Sequence, residues 1–173
     1  RAKVVSNVEK LHTMLTETPG DFNAWLDLAL NYKMAGDMRA AEAIWIYLTD
    51  AAPQQSISAH NLGTLYHLTF KRYEDSEKYF EMAIAREPQQ LINYLSFHEL
   101  YRYSYQTDSK KAVEVLERAL KALPGNPDAL LTLEMVRPDR VQARKSLSRE
   151  STPPVRCTGM RLSLAPAESA VLV

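Results

Sequence analysis

Four prolines, Pro19, Pro53, Pro88 and Pro124, stand 34, 35 and 36 residues apart, and each closes a stretch whose apolar residues recur three and four apart. The residue before a proline is driven out of the helical conformation, and the proline has no N–H to donate, so a helix must end there. The clearest copies are KYFEMAIAREPQQ at 78–90 and EVLERALKALPGN at 114–126. They pair Phe80 with Leu116, Glu81 with Glu117, Ala83 with Ala119, Ile84 with Leu120 and Pro88 with Pro124. A period of this size implies one supersecondary unit stacked on copies of itself, because a single unit cannot bury its own apolar face.

A second helical pattern precedes each later proline-ended helix: Trp25, Leu28, Ala29, Tyr32; then Ala59, Leu62, Gly63, Tyr66; then Tyr94, Phe97, His98, Tyr101. Each set has the spacing of one helical face. Two helices per period near 34, with a proline closing each, resemble the tetratricopeptide repeat. Trp25, Leu28, Ala29 and Tyr32 match that family's first-helix motif fully. Its second-helix pattern is met by Ala41 and Trp45, with Leu48 a departure, by Ser76, Phe80 and Ala83, and by Ala112, Leu116 and Ala119.

The resemblance implies an all-α, right-handed superhelical solenoid of antiparallel helix pairs over residues 3–137. It divides into a leading half-repeat at 3–19, repeats at 22–55, 56–90 and 91–126, and a capping helix at 127–136. Two antiparallel helices approach closely where small residues face each other, as Ala29 with Ala41 and Gly63 with Ser76 allow. His98 breaks that rule and is expected to splay the third pair or to sit over Ala112. The extra residues of repeats two and three are expected in the turns FKRY at 70–73 and YQTDS at 105–109, where insertions cost least.

The two ends carry expectations of their own. The chain opens on Arg1 rather than Met, which suggests a piece of a longer protein. Val4, Val8, Leu11 and Leu15 form one face of a helix that has the place of a second helix without its first. An open apolar face and self-association through residues 3–17 are therefore expected. At the other end Asn126 and Pro127 start a helix whose Ala129, Leu130 and Leu133 face inward, with Glu134 and Arg137 backing it as a polar cap.

From Pro138 the periodicity stops. Arg140, Arg144, Lys145, Arg149, Arg156 and Arg161 outnumber Asp139, Glu150 and Glu168, and residues 138–173 are expected to form a basic tail without fixed structure. Its apolar pieces, Leu162 to Ala165 and Ala170 to Val173, have the character of weak internal ligands for an apolar groove. Over the whole chain Lys plus Arg equals Asp plus Glu, 21 each, so no global field favours nucleic acid or an anionic membrane. Cys157 has no disulfide partner within the chain and no nearby His, which fits a free thiol in a reducing, cytoplasmic setting. The most apolar run, AAEAIWIYL at 40–48, is far below the roughly 20 residues of a membrane span, so a soluble chain is expected.

Motifs of catalysis are missing: the sequence has no glycine-rich phosphate loop, no GxSxG and no HExxH. His60 and His67 with Glu99 could hold a metal, but bonding to neighbouring side chains is the expected role, and no cofactor or metal is assigned. Tyr94 and Tyr101 are accounted for by packing, leaving Tyr103 and Tyr105 as the remaining stacking candidates.

The resemblance puts a concave groove on the first helices. Its offsets give Asn23, Leu26, Leu30, Lys33 and Met34; then Ile57, His60, Asn61, Thr64, His67 and Leu68; then Ile92, Leu95, Ser96, Glu99, Arg102 and Tyr103. One subclass of the family clamps the terminal carboxylate of chaperone tails. Here only Asn61 fits that pattern, while Leu26, Leu30, Ile92 and Ser96 replace its polar and basic residues, so no such clamp is expected. The function expected is that of a protein-interaction scaffold for a peptide or partner segment, not an enzyme. The alternatives are an accessory domain of a larger enzyme or membrane-associated assembly and helical-repeat RNA binding, which the neutral total charge disfavours.

Overall fold

The computed structural model describes residues 2–105 and 109–137. In chain order the helices are α1 (Ala2–Glu17), α2 (Phe22–Ala35), α3 (Met38–Ala51), α4 (Ile57–Leu65), α5 (Tyr73–Arg86), α6 (Leu91–Tyr103), α7 (Ser109–Ala122) and α8 (Pro127–Val136). A π-helical turn over Tyr66–Phe70 extends α4. Each helix packs on its sequence neighbour, giving the pairs α2/α3, α4/α5 and α6/α7, with α1 against α2 and α8 against α7. This is an all-α helical-repeat solenoid.

The helix ends follow from local chemistry. Ala52 and Glu87, the residues before Pro53 and Pro88, leave the helical region with ψ of 70° and 78°, as a following proline requires. The Asp21 carboxylate caps α2 by accepting from the N–H groups of Asn23 and Ala24, each at 3.0 Å. Asn126 does the same for α8 with Asp128 and Ala129, and Pro127 takes the first-turn place where no donor is needed. Gly36 ends α2 in the left-handed region.

Three apolar clusters run along the stack. Leu15, Ala24 and Leu28 form the first; Leu26, Ala29, Ala41, Trp45, Leu48, Leu62, Leu65 and Tyr66 the second; Phe80, Phe97, Leu100, Tyr101, Leu116 and Ala129 belong to the third. Leu48, where the repeat pattern implies a small residue, is buried beside Trp45. Small residues meet as expected: Ala29 and Ala41 are fully buried, and the Ser76 hydroxyl donates to the carbonyl of Gly63 at 2.7 Å. His98 does not splay its pair. Its Nδ1 bonds to the Leu95 carbonyl of its own helix, the ring is buried, and α6 packs on α7 as extensively as α2 on α3.

Three expectations change. The added residue of repeat two does not simply lengthen the turn at 70–73, because the end of the first helix widens into the π-helical turn. Lys71 then closes it in the left-handed region at φ 56°, and the Lys71 and Arg72 N–H groups both reach the Tyr66 carbonyl. The open face of residues 3–17 is not there either. Val8, Leu11 and Leu15 pack on Ala24 and Leu28, while the exposed Val5 and Met14, nine residues apart, point to opposite flanks.

The cap is only partly polar. Glu134 pairs with Arg137 at 3.1 Å, but Leu130, Leu131 and Met135 stay exposed beside them. The expectations for 138–173 lie outside the described residues, as do residues 106–108 of the turn at 105–109 expected to take the other insertion.

Candidate peptide groove

The first helices α2, α4 and α6 repeat one surface layout. Stepping by the repeat, Asn23, Ile57 and Ile92 occupy one position near the helix start, and all are exposed. Leu30, Thr64 and Glu99 share a middle position; Met34, Leu68 and Tyr103 share the one at the helix end. These last three are exposed by 74%, 57% and 62%. Lys33, His60, Asn61, Thr64, Leu95, Ser96 and Arg102 are half-buried between the two ends, and Leu30 and Glu99 are exposed.

Two expected groove residues are not surface residues. Leu26 is buried in the cluster around Trp45, and His67 is buried against α6. His67 Nε2 bonds to the Ser104 hydroxyl at 2.8 Å, and His60 Nδ1 to Asn93 Oδ1 at 3.0 Å. The Asn93 amide nitrogen donates to the Ala83 carbonyl, so its oxygen faces the ring and His60 Nδ1 is the donor. The two histidines therefore tie one first helix to the next. Burial holds both below the ordinary imidazole value; the Asn93 bond opposes this at His60 and the Lys33 charge adds to it, while the Lys71 charge adds to it at His67. Among the described residues no group of three or more His, Cys, Asp or Glu is placed to hold a metal ion.

Lys33 lies over the Trp45 ring with Nζ at 5.9 Å from its centroid, and the Arg102 guanidinium over Tyr103 at 5.0 Å. The apolar stems of both are thereby used in packing while the charges stay at the surface. Leu131 and Met135 of α8 were not expected in the groove. They take the places of Leu95 and Glu99 one repeat on, and they are exposed by 62% and 51%. The signal was available: the step of 36 that relates Pro88 to Pro124 also carries Leu95 to Leu131 and Glu99 to Met135.

Stacked antiparallel pairs with first helices presenting equivalent positions make a tetratricopeptide-like helical-repeat fold. Solved structures agree on the fold. The crystal structure of MamA matches with a TM-score of 0.61 at 15% identity, covering 82% of this chain and 81% of that one. The first tetratricopeptide domain of Spaghetti (RPAP3) bound to the HSP90 peptide SRMEEVD matches at 0.55 and 20% identity, over 70% of this chain and 95% of that one. The first such domain of human RPAP3 matches at 0.55 and 21%, over 75% and 98%. No family model matches the sequence, and no curated protein does. No described helix is long and apolar enough to cross a membrane.

Proposed function

We propose that the chain is a protein-interaction scaffold that binds a peptide or partner segment along α2, α4, α6 and α8. The observation that carries this reading is the recurrence of exposed apolar side chains at equivalent positions of successive first helices: Ile57 and Ile92 at one end, Met34, Leu68 and Tyr103 at the other. Solvent-facing apolar residues in register have no packing role within the fold and mark a surface meant to be covered. Each such anchor contributes about 1–3 kcal/mol on burial, so a few of them give modest affinity after the costs of association. The role is binding rather than catalysis.

One structural neighbour carries an HSP90 peptide. The acidic-tail mode is not proposed here, because Leu26 is buried, Leu30 and Ile92 are apolar, and only Asn61 offers a matching amide. Selection from a random peptide display library against the full chain tests the reading. Enrichment of apolar anchors is expected, with binding lost in a folded Leu30→Asp, Ile92→Asp variant. Enrichment of acidic C-termini without apolar residues would overturn it.

A further inference from the structure

Two histidines carry side-chain bonds from α4, and from the π-helical turn that extends it, across to α6. His60 Nδ1 donates to Asn93 Oδ1 at 3.0 Å near the N-terminal ends of the two helices, and His67 Nε2 meets the Ser104 hydroxyl at 2.8 Å near their C-terminal ends. Each ring also meets an aromatic ring of α5 edge-on: His60 meets Phe80 with centroids 5.9 Å apart, and His67 meets Tyr73 at 6.4 Å. One imidazole is thus clamped at each end of the joint, where three helices come together. Around them, no described carboxylate compensates a charge. His60 faces the Lys33 ammonium from α2, the Asn93 amide from α6 and the Phe80 ring from α5. His67 faces Lys71 at the close of its own turn, the Tyr73 phenol from α5 and the Ser104 hydroxyl from α6. Glu99, the acid of α6 between Asn93 and Ser104, is exposed and acts on neither ring. An imidazolium at either place is desolvated beside a lysine, with nothing to offset it. His98 bonds within α6 and is not part of the joint.

We infer that the α4/α6 joint makes the groove release its partner in mild acid: a segment laid across α4 and α6 holds the joint closed, and protonation of His60 and His67 opens it. The inference rests on the scaffold reading above and adds its regulation. A solenoid permits such local opening, because each pair contacts only its neighbours and one joint gives way without unfolding the stack. The exposed anchors lie on both sides of this joint, Ile57 and Leu68 on one and Ile92 and Tyr103 on the other. Opening takes them out of register, so a partner that needs them in register binds the chain with neutral rings. At neutral pH the rings are neutral in both free and bound chains, and affinity does not depend on them. As pH falls below about 6.5, the opened joint takes up protons that the bound chain cannot. A ring half protonated in the free chain and neutral in the bound one weakens binding about twofold, and the two rings together about fourfold.

Two measurements on the full chain test this. Without ligand, amide hydrogen exchange is compared at about pH 7 and 5.5, corrected for the pH dependence of the intrinsic rate. Protection is expected to fall in α4 and α6 and to hold in α2 and α3. With ligand, a labelled peptide from the display selection is titrated by fluorescence anisotropy at both pH values and at about pH 5. Its affinity is expected to weaken about fourfold toward acid, with a flatter slope in a His60→Gln, His67→Gln variant. His12→Gln, at an exposed ring of α1, should keep the full slope. An affinity that does not change with pH, a full slope in the double variant, or an equal loss of protection in every helix overturns the inference. Should the double variant not fold, the exchange comparison on the unaltered chain decides. If selection yields no peptide, the scaffold reading falls, and exchange still shows whether the joint opens.

Discussion

The Tyr66 hydroxyl donates to Oε1 of Glu42 at 2.8 Å, joining the first helix of the second pair to the second helix of the first. Glu42 is buried; its other oxygen, Oε2, accepts from Arg39 at 2.9 Å, and the Arg72 guanidinium lies 3.6 Å from Oε1. Thirty-five residues on, Tyr101 donates to Glu77 in the same way. The tyrosine of the first-helix motif therefore does two jobs: its ring fills the space between pairs and its hydroxyl fixes their register. Hydrogen bonds to charged acceptors contribute about 1.5–3 kcal/mol, and Glu42 keeps its arginines when the tyrosine is changed. Tyr66→Phe is expected to cost about 1–2 kcal/mol in urea unfolding. A cost near zero would show that the arginines alone hold the joint.

Gly63 stands where the first pair has Ala29 and the third His98. A Cβ on Gly63 would come within 2.8 Å of two ring carbons of Phe80, which is fully buried. Alanine gains about 1 kcal/mol in helix propensity, but overpacking a fixed ring costs about 1–3 kcal/mol and displaces α5. Gly63→Ala should therefore destabilise the chain by about 1 kcal/mol or more. A more stable variant would mean that the α4/α5 pair relaxes freely.

Lys71 occupies the left-handed region that Gly36 occupies in the first pair. A residue with a Cβ is disfavoured there by about 1 kcal/mol, partly offset in a glycine variant by the greater freedom of its unfolded chain. Lys71→Gly is expected to raise stability by about 0.5 kcal/mol in the same urea assay. Loss of stability by more than about 1 kcal/mol would show that the lysine side chain matters more than its backbone.

His60, His67 and His98 are all held below the ordinary imidazole value, chiefly by burial. Above about pH 6.5 both folded and unfolded chains keep them neutral, so they add no pH dependence there. As pH falls below that, the unfolded chain takes up protons first, and stability declines until the folded values are reached. The melting temperature should drop as pH falls from about 6.5 to 5, and drop less in a His60→Gln, His67→Gln variant. Identical slopes for the two proteins would refute the assignment.

The repeat, the helix pairs, the proline stops and the small-residue contacts were legible in the sequence because each depends on local spacing and backbone sterics. Pro53 and Pro88 end their helices whatever surrounds them, and Ala29 with Ala41 is readable as a close approach from residue size alone. Which groove positions face water was not. Leu26 and His67 share helical faces with exposed residues, but the neighbouring pairs cover them, and burial by a neighbour has no period in the chain that is buried. The same holds for the π-helical turn: one added residue could lengthen a turn or widen a helix, and the packing of Tyr66 and Phe70 around Arg39, Tyr79 and Glu42 favours the second. A stack of helix pairs was readable from the residues alone, since apolar periodicity and proline act within a few residues of one another. That α8 continues the exposed row with Leu131 and Met135, and that α2 covers the face of α1, follows from packing between residues far apart in the chain, which no local pattern records.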